Sequence, residues 1–174
     1  MKIAFFTASR ADYGKLKPVI IEAQNNKFDF KIFVTGSHLI SEYGRTIIQI
    51  RSDFSSKKIV SFSNQKFGDS HQTIFKNTVN NLTKVLKNKK FDCFFIHGDR
   101  IETLAAATVL TFSKIKIAHI EGGELSGTVD EMIRHTVSKL SHIHFVTNKV
   151  AKKVLINSGE KYKNIFITGS PDID

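Results

Sequence analysis

The chain has 174 residues, of which 41% are hydrophobic and 24% charged, so it is long enough for one domain with a substantial core. Its formal net charge of +10 raises the question of a nucleic-acid partner. The lysines are scattered and the phenylalanines fall in apolar runs, which favours a basic surface that attracts an anionic small molecule over nucleic-acid binding. No apolar run approaches the roughly 20 residues of a membrane span.

The cysteine content and the first residues bear on where the protein works. Cys93 is the single cysteine, which excludes an internal disulfide, and it lies inside an apolar run. The apolar segment at residues 3–6 is too short for a signal peptide and is typical of a first strand. We therefore expect a cytoplasmic protein that has no membrane partner.

Apolar runs of strand length alternate with segments of helical periodicity along the whole chain. The predicted strands cover residues 2–7, 28–35, 57–62, 91–96, 115–120, 142–147 and 165–168. The predicted helices cover residues 15–25, 43–51, 70–86, 101–112, 129–140 and 149–158, and a loop is predicted over residues 8–14. This alternation predicts an α/β fold with a doubly wound, mostly parallel, Rossmann-like sheet in a single domain over residues 1–174.

The stretch from residue 93 to residue 135 carries the strongest functional signal. Two of its apolar runs end in a histidine that is followed two residues later by a carboxylate, in His97-Gly-Asp99 and His119-Ile-Glu121. A helical segment separates the two runs, and such a crossover makes the two strands parallel. The next helix opens with Asp130 and Glu131. Because ligands bind at the carboxyl edge of open α/β sheets, we expect these carboxylates to share one crevice.

Polar residues follow the other predicted strands at the same edge. They are Ser9, Arg10, Asp12 and Lys15 after the first strand, His38 after the second, and Arg134 in the helix that begins near residue 129. Crowded carboxylates raise the pKa of at least one of them, which suits acid–base catalysis near neutral pH. The cations suit an anionic substrate. For Arg134 an ion pair with Asp130 at the i,i+4 spacing is an alternative.

Other kinds of site have less support from the sequence. The two histidines and their carboxylates could bind a metal, but no HExxH or CxxC motif accompanies them, and packing or supporting roles for His97 and His119 are favoured. Neither a GxGxxG motif after the first strand nor a Walker A motif is present, so no motif holds a dinucleotide or ATP. A GxSxG motif is absent as well. We expect no cofactor and no metal.

Five blocks of sequence resemble the UDP-N-acetylglucosamine 2-epimerase family. They are SRADYGKLKP at residues 9–18, TGSHL at 35–39, HGDRIETLAAA at 97–107, HIEGGE at 119–124 and DEMIRH at 130–135. The likeness covers the whole chain and extends to IFITGSP at residues 165–171. It is strongest to the hydrolysing branch, which makes N-acetylmannosamine for sialic acid or the related diacetamido sugar for legionaminic acid.

The resemblance implies two Rossmann-like domains of glycosyltransferase-B type, with the active site between them and a nucleotide sugar as substrate. It implies elimination of UDP to a 2-acetamidoglucal, followed by addition of water, without metal or nicotinamide. By motif position, the acid–base carboxylates are Asp99, Glu121 and Asp130, with Glu131 as an alternate. The positions that match the substrate-binding motifs are Ser9, Arg10, Asp12, Lys15, His38, Gly122 and Arg134.

The sequence departs from the family pattern in two respects. Many members place glycine where Ala8 stands. The second domain of the family is expected to be absent from these 174 residues, so we expect little or no activity from the chain alone. A non-catalytic domain that binds a nucleotide sugar and one half of a glycosyltransferase remain alternatives. The substrate, UDP-N-acetylglucosamine or a diacetamido analogue, and the oligomeric state, including association between copies of the chain, remain open.

Overall fold

A computed structural model describes residues 1–171 and residue 173 of the chain. The strands are β1 (Lys2–Thr7), β2 (Asp29–Val34), β3 (Ile59–Ser61), β4 (Cys93–His97), β5 (Lys116–Ile120), β6 (Ile143–Val146) and β7 (Ile165–Ile167). The helices are α1 (Arg10–Asn25), α2 (Ile47–Asp53), α3 (His71–Leu86), α4 (Ile101–Phe112), α5 (Val129–Leu140) and α6 (Lys149–Asn157). Short 3-10 turns cover Gly36–Leu39, Ser41–Tyr43, Ser56–Lys58 and Tyr162–Asn164.

The seven strands form one sheet in the order β3-β2-β1-β4-β5-β6-β7, and every neighbouring pair is parallel. The chain moves outward from β1 to β3, then returns to place β4 on the other side of β1. The point between β1 and β4 is therefore where the winding reverses, and ligands bind at such points in open α/β sheets. The predicted doubly wound α/β fold is confirmed, and the sheet is parallel throughout its described strands.

Two apolar layers cover the sheet because side chains alternate between its faces. One layer packs α3, α4 and α5 against strand residues such as Phe6, Phe94 and Ile117. The other packs α1 and α2 against residues such as Phe5 and Ile32. Burial on both faces explains why the strands are nearly continuous apolar runs in the sequence. None of the described helices has the length and apolar composition that a membrane-spanning helix requires.

The first helix begins earlier than the sequence predicts. Its N-cap is Ser9, whose hydroxyl accepts from the backbone N–H of Asp12, while the Asp12 carboxylate accepts from the N–H groups of Ala8 and Ser9 at 2.8 and 3.0 Å. This capping box starts α1 at Arg10, and Gly14 is accommodated inside the helix. The loop predicted over residues 8–14 is therefore wrong from residue 10 onward, and Arg10, Asp12 and Lys15 lie in the first two turns of α1. Most other ends differ from prediction by one or two residues.

Gly36 is required where the end of β2 approaches the end of β1. Its φ is +66°, and an added Cβ would overlap the backbone carbonyl of Ala8. We expect Gly36→Ala to lower the free energy of unfolding by more than about 1 kcal/mol, because both the backbone conformation and the space disfavour a side chain. Gly14→Ala is the matched control, since a Cβ there meets nothing within 4 Å and alanine favours a helix. Urea unfolding of both variants tests this, and an unchanged midpoint for Gly36→Ala would contradict it.

Candidate active site

Glu121 joins four parts of the chain at the carboxyl edge of the sheet. It follows β5, its φ is +60°, and its N–H donates to the carbonyl of Phe145 at 2.8 Å. His97 Nε2, at the end of β4, lies 2.9 Å from Glu121 Oε2, and Lys15 Nζ from α1 lies 3.1 Å from Oε1. The hydroxyl of Ser170, beyond β7, also donates to Oε1. A left-handed backbone at a residue other than glycine is uncommon, and such positions cluster at functional sites.

The partners of Glu121 keep its carboxyl group ionised. Burial alone raises its pKa, but hydrogen bonds and charge from His97, Ser170 and Lys15 outweigh burial and lower the pKa to about 2. The pKa rise expected for at least one of the crowded carboxylates is therefore not found at Glu121. The contacts explain why: the side chain meets a cation and hydrogen-bond donors rather than another carboxylate.

Asp99 forms a second group with Arg134. Arg134 Nη2 donates to Asp99 Oδ2, and Arg134 Nη1 donates to the carbonyl of Glu124 at 2.8 Å. Arg134 therefore ties the turn after β4 and the loop after β5 to α5. This contact takes the place of the alternative pair between Arg134 and Asp130 within the helix.

His119 fixes the turn that carries Asp99. The imidazole is fully buried, with Nε2 2.8 Å from the carbonyl of Gly98 and Nδ1 3.0 Å from Ser138 Oγ. Burial lowers its pKa to about 3, so the ring is neutral at physiological pH. Gly122 packs against the same pair, because a Cβ there would lie 2.8 Å from Ser138 Oγ and 2.9 Å from His119 Nδ1. These contacts agree with a supporting role for His119.

Asp99 and Asp130 line one cleft at this edge, with a volume of about 810 Å³. Arg100 lines it as well. The neighbouring Glu131 has a different environment: its Oε2 accepts from the N–H groups of Ser126 and Gly127 at 2.6 and 2.7 Å. Glu131 thus holds the loop before α5, whereas Asp130 faces the cleft. Acid–base roles for either residue stay predictions.

The remaining predicted site residues lie at the ends of β1 and β2. His38 is fully buried, both ring nitrogens are hydrogen-bonded to threonine hydroxyls at 2.9 and 2.6 Å, and burial lowers its pKa to about 4. Ser9 and Asp12 are engaged in the capping box of α1. Arg10 is exposed and has no polar partner in the described part of the chain. Substrate contacts for these four residues, and for Lys15, Gly122 and Arg134, stay predictions.

Two residues of this edge, Ser170 and His97, were not assigned to the site from the sequence, whereas Arg100 was expected at this edge as a residue that follows the fourth strand. Ser170 contacts both Lys15, at 2.7 Å, and Glu121. His97 contacts Glu121 directly, and Arg100 lines the cleft. His97 is the last residue of β4, and Arg100 and Ser170 follow β4 and β7, so their place at the carboxyl ends of strands is the signal that identifies this edge. Within residues 1–171 and 173, no cluster of three or more histidine, cysteine or acidic side chains is arranged to bind a metal.

Comparison with known proteins identifies the family. The family model described as UDP-N-acetylglucosamine 2-epimerase matches residues 21–174. The chain belongs to that family. It is 43% identical over 175 residues to the UDP-N-acetylglucosamine 2-epimerase of Neisseria meningitidis serogroup B, covering 99% of this chain and 46% of that protein. It is 41% identical to the hydrolyzing UDP-N,N'-diacetylbacillosamine 2-epimerase of Legionella pneumophila, covering 99% of this chain and 47% of that protein.

Solved structures of the family have the same fold. The UDP-GlcNAc 2-epimerase of Neisseria meningitidis bound to UDP-GlcNAc superposes with a TM-score of 0.82 and 28% identity over 99% of this chain and 48% of that one. The enzyme of Methanocaldococcus jannaschii superposes with a TM-score of 0.84 at 24% identity, over 98% of this chain and 46% of that one. The family's glycosyltransferase-B-like architecture is thereby shown. The chain spans about half the length of the relatives it matches.

The charge of Glu121 predicts an acid-sensitive stability. Because its pKa is lowered in the folded chain, Glu121 stabilises the fold above the ordinary pKa of about 4.5, and this contribution is lost as pH falls through about 2. We expect Glu121→Gln to be less stable than the parent at neutral pH, with the difference shrinking as pH falls through this range. Chemical unfolding at several pH values measures it. Glu22→Gln, on the exposed face of α1, is the control and should follow the parent at every pH. A constant difference for Glu121→Gln would contradict the assignment.

Proposed function

We propose that this chain is the carboxylate-bearing half of a hydrolysing 2-epimerase that converts UDP-N-acetylglucosamine and water to N-acetylmannosamine and UDP. The observation that carries the proposal is the placement of Asp99 and Asp130 in one cleft at the carboxyl edge of the sheet. The 43% identity to the Neisseria meningitidis epimerase supports it. The cytoplasmic location expected from the sequence fits a nucleotide-sugar substrate and stays a prediction.

The reaction begins with an elimination. A base removes the proton on C2 of the sugar, and the C–H electron pair forms the C1–C2 double bond. The C1–O bond breaks, and its electron pair leaves on the diphosphate oxygen of UDP. Asp99 and Asp130 are the proposed proton-transfer groups, because both line the cleft. Arg134 holds Asp99 in a fixed orientation for this step.

Hydration of the glucal completes the reaction. A water hydroxyl adds to C1, and a proton is delivered to C2 on the face opposite to the one that lost it, which gives the mannosamine configuration. Two acid–base groups on opposite faces of the sugar are therefore needed. Asp99, in the turn after β4, and Asp130, in the first turn of α5, approach the cleft from different elements.

Glu121 has a distinct proposed role. A carboxyl with a pKa of about 2 is a weak base, so it suits stabilisation of positive charge at C1 while the glycosidic bond breaks. His97 and Lys15 keep the carboxylate charged and oriented. Of the three carboxylates predicted to act as acids or bases, Glu121 is thus proposed to stabilise charge, whereas Asp99 and Asp130 are proposed to transfer protons.

A second substrate has support from the comparisons. The hydrolyzing relative of Legionella pneumophila, which is 41% identical, is named for UDP-N,N'-diacetylbacillosamine. The same elimination and hydration on that analogue is the alternative function. Because the chain spans about half the length of these relatives, we propose that it folds and binds the sugar weakly but needs the other half of the cleft for turnover.

Proton NMR in D2O tests the function and identifies the substrate. The chain alone, and the chain fused to the remaining half of the Neisseria meningitidis relative, are incubated separately with each UDP-sugar. We expect the fusion to release a mannosamine-type sugar with deuterium at C2, and the chain alone to release none. Failure of the fusion with both substrates would reject the proposed reaction. Turnover by the chain alone would reject the need for a second half.

Asparagine variants of the fusion test the carboxylates. We expect Asp99→Asn and Asp130→Asn each to lower kcat by at least about 100-fold, because each removes a proton-transfer group. Asp29→Asn is the matched control, since Asp29 begins β2 at the opposite edge of the sheet, and it should keep the parent rate. An Asp99→Asn variant with the rate of the parent would exclude Asp99 from proton transfer.

A further inference from the structure

Lysines that are scattered in the sequence lie together at the amino edge of the sheet. Because all neighbouring strands are parallel, the segments that enter them meet at this edge, opposite to the carboxyl edge that carries the candidate site. Strand β1 begins at Lys2, and the segments that end at the first residue of each later strand are 26–29, 54–59, 87–93, 113–116, 141–143 and 158–165. With Lys2, these segments hold eleven lysines and no arginine, against three acidic residues, Asp29, Asp92 and Glu160. Most of the formal net charge of +10 is therefore carried by the amino edge.

A groove at the ends of α3 and α4 concentrates this charge, and we call it the basic groove. It has a volume of about 630 Å³ and is lined by five exposed lysines, Lys84, Lys87, Lys89, Lys90 and Lys114. Asp92 lines it as well, but its Oδ2 accepts from the backbone N–H of Lys2 at 2.6 Å. Within residues 1–171 and 173, none of the five lysines forms an ion pair with a carboxylate. Their ammonium groups therefore face solvent uncompensated.

Folding gains little from this arrangement. Lys84 lies in the last turn of α3, where a cation stabilises the end of a helix. Lys89, Lys90 and Lys114 lie beyond the ends of α3 and α4, so this effect does not account for them. Like charges that are crowded on a surface repel one another and destabilise the compact state. The basic groove is therefore better explained by a negatively charged partner than by the stability of the fold.

Exposed aromatic side chains accompany the lysines and indicate the kind of partner. Phe112, the last residue of α4, is 84% exposed and precedes Ser113, which lines the basic groove. Phe28, just before β2, is exposed at the same edge. An anionic phospholipid bilayer offers partners for both kinds of side chain, since its head groups attract lysines and its acyl chains accept a phenyl ring. Arginine, which binds nucleic-acid phosphates through paired donors, is absent from the segments that form this edge. A bilayer therefore fits better than a nucleic acid.

We propose that the amino edge of the sheet binds the surface of an anionic phospholipid bilayer, with the lysines of the basic groove at the head groups and Phe112 among the acyl chains. The chain then lies on the bilayer, and this mode of binding needs no membrane-spanning helix. The cleft with Asp99 and Asp130 is at the opposite edge, so it stays open to a nucleotide sugar. No membrane partner was expected from the sequence, in which the lysines are scattered, but the parallel pairing of the strands brings them together.

Co-sedimentation of the chain with phospholipid vesicles tests the proposal. Vesicles of phosphatidylcholine alone are compared with vesicles in which about a third of the lipid is phosphatidylglycerol, which makes the surface negative. We expect the chain to bind the anionic vesicles and not the neutral ones, and to dissociate as sodium chloride is raised, because salt screens exposed charges. Equal binding to both kinds of vesicle, or no binding to the anionic ones, would overturn the proposal.

Two triple variants separate the basic groove from the net charge of the chain. We expect the combination of Lys89→Gln, Lys90→Gln and Lys114→Gln to raise the Kd for anionic vesicles at least about tenfold, because each lysine at a bilayer surface contributes to binding. The matched control removes the same charge from exposed positions in α3 and α6 outside the amino edge, by Lys76→Gln, Lys149→Gln and Lys153→Gln. It should bind as the parent does. All six lysines are exposed, so both variants keep the core, and circular dichroism checks that they fold. Equal weakening in the two variants would overturn the assignment to this edge.

A fluorescent reporter distinguishes a bilayer from a nucleic acid. The chain contains no tryptophan, so Phe112→Trp places a single indole ring at the proposed point of insertion. We expect its emission to shift to shorter wavelength with anionic vesicles, because the ring leaves water for an apolar environment. Met132→Trp, at a position that is 71% exposed in the first turn of α5, is the control and should keep its emission. The absence of a shift for Phe112→Trp would overturn the proposal. Release of most of the bound chain by a single-stranded oligonucleotide at equal phosphate concentration would identify a nucleic-acid surface instead, whereas retention on the vesicles supports the bilayer.

Discussion

The parallel pairing of β1, β4 and β5 is the constraint on which the candidate site depends. His97 pairs with Ile120 in the register of β4 and β5, so the residues that follow each strand emerge side by side. The N–H of Gly98 continues the ladder by donating to the carbonyl of Ile120 at 3.2 Å. Turns that begin at the same level of the sheet can share contacts, as His97 and Glu121 do. The site is therefore a consequence of strand register rather than of one loop.

The carboxylates at this edge of the sheet differ in whether a neighbouring cation pairs with them. Glu121 is paired with Lys15, Asp99 with Arg134, and Glu102 with Arg100. Asp130 differs, because it has no ion-pair or hydrogen-bond partner in the described part of the chain. A paired carboxylate is fixed in position, and Glu121, whose pKa is lowered by its partners, is in addition kept ionised. The two proposed proton-transfer groups therefore differ in support: Arg134 orients Asp99, whereas Asp130 is exposed in the first turn of α5.

Much of the fold followed from the sequence because its local signals agree with its tertiary structure. The apolar strands, and the helices over residues 101–112 and 129–140, were located by periodicity alone. The predicted start of α1 at residue 15 was too late, because the Ser9–Asp12 capping box determines the helix start at Arg10. The sequence grouped Asp130 with Glu131 as neighbours, but a helix turns successive side chains by about 100°. Only the structure shows that one faces the cleft and the other binds the loop.

The contacts of Glu121 also could not be read from sequence spacing, since they join residues far apart in the chain. Lys15 and Ser170 are 155 positions apart, yet their side chains are 2.7 Å from each other and both contact Glu121. These contacts of Glu121 therefore require two distant parts of the sheet to be folded. One is β1, which lies inside the sheet, and the other is β7, which lies at its edge. Folding of this chain therefore fixes Glu121 and Asp99 before any substrate arrives, and the entropy of positioning these two side chains is not lost again at the reaction step. The residues of the proposed acid–base chemistry thus come to one edge of the sheet because they lie in the turns and the helix start that follow its strands.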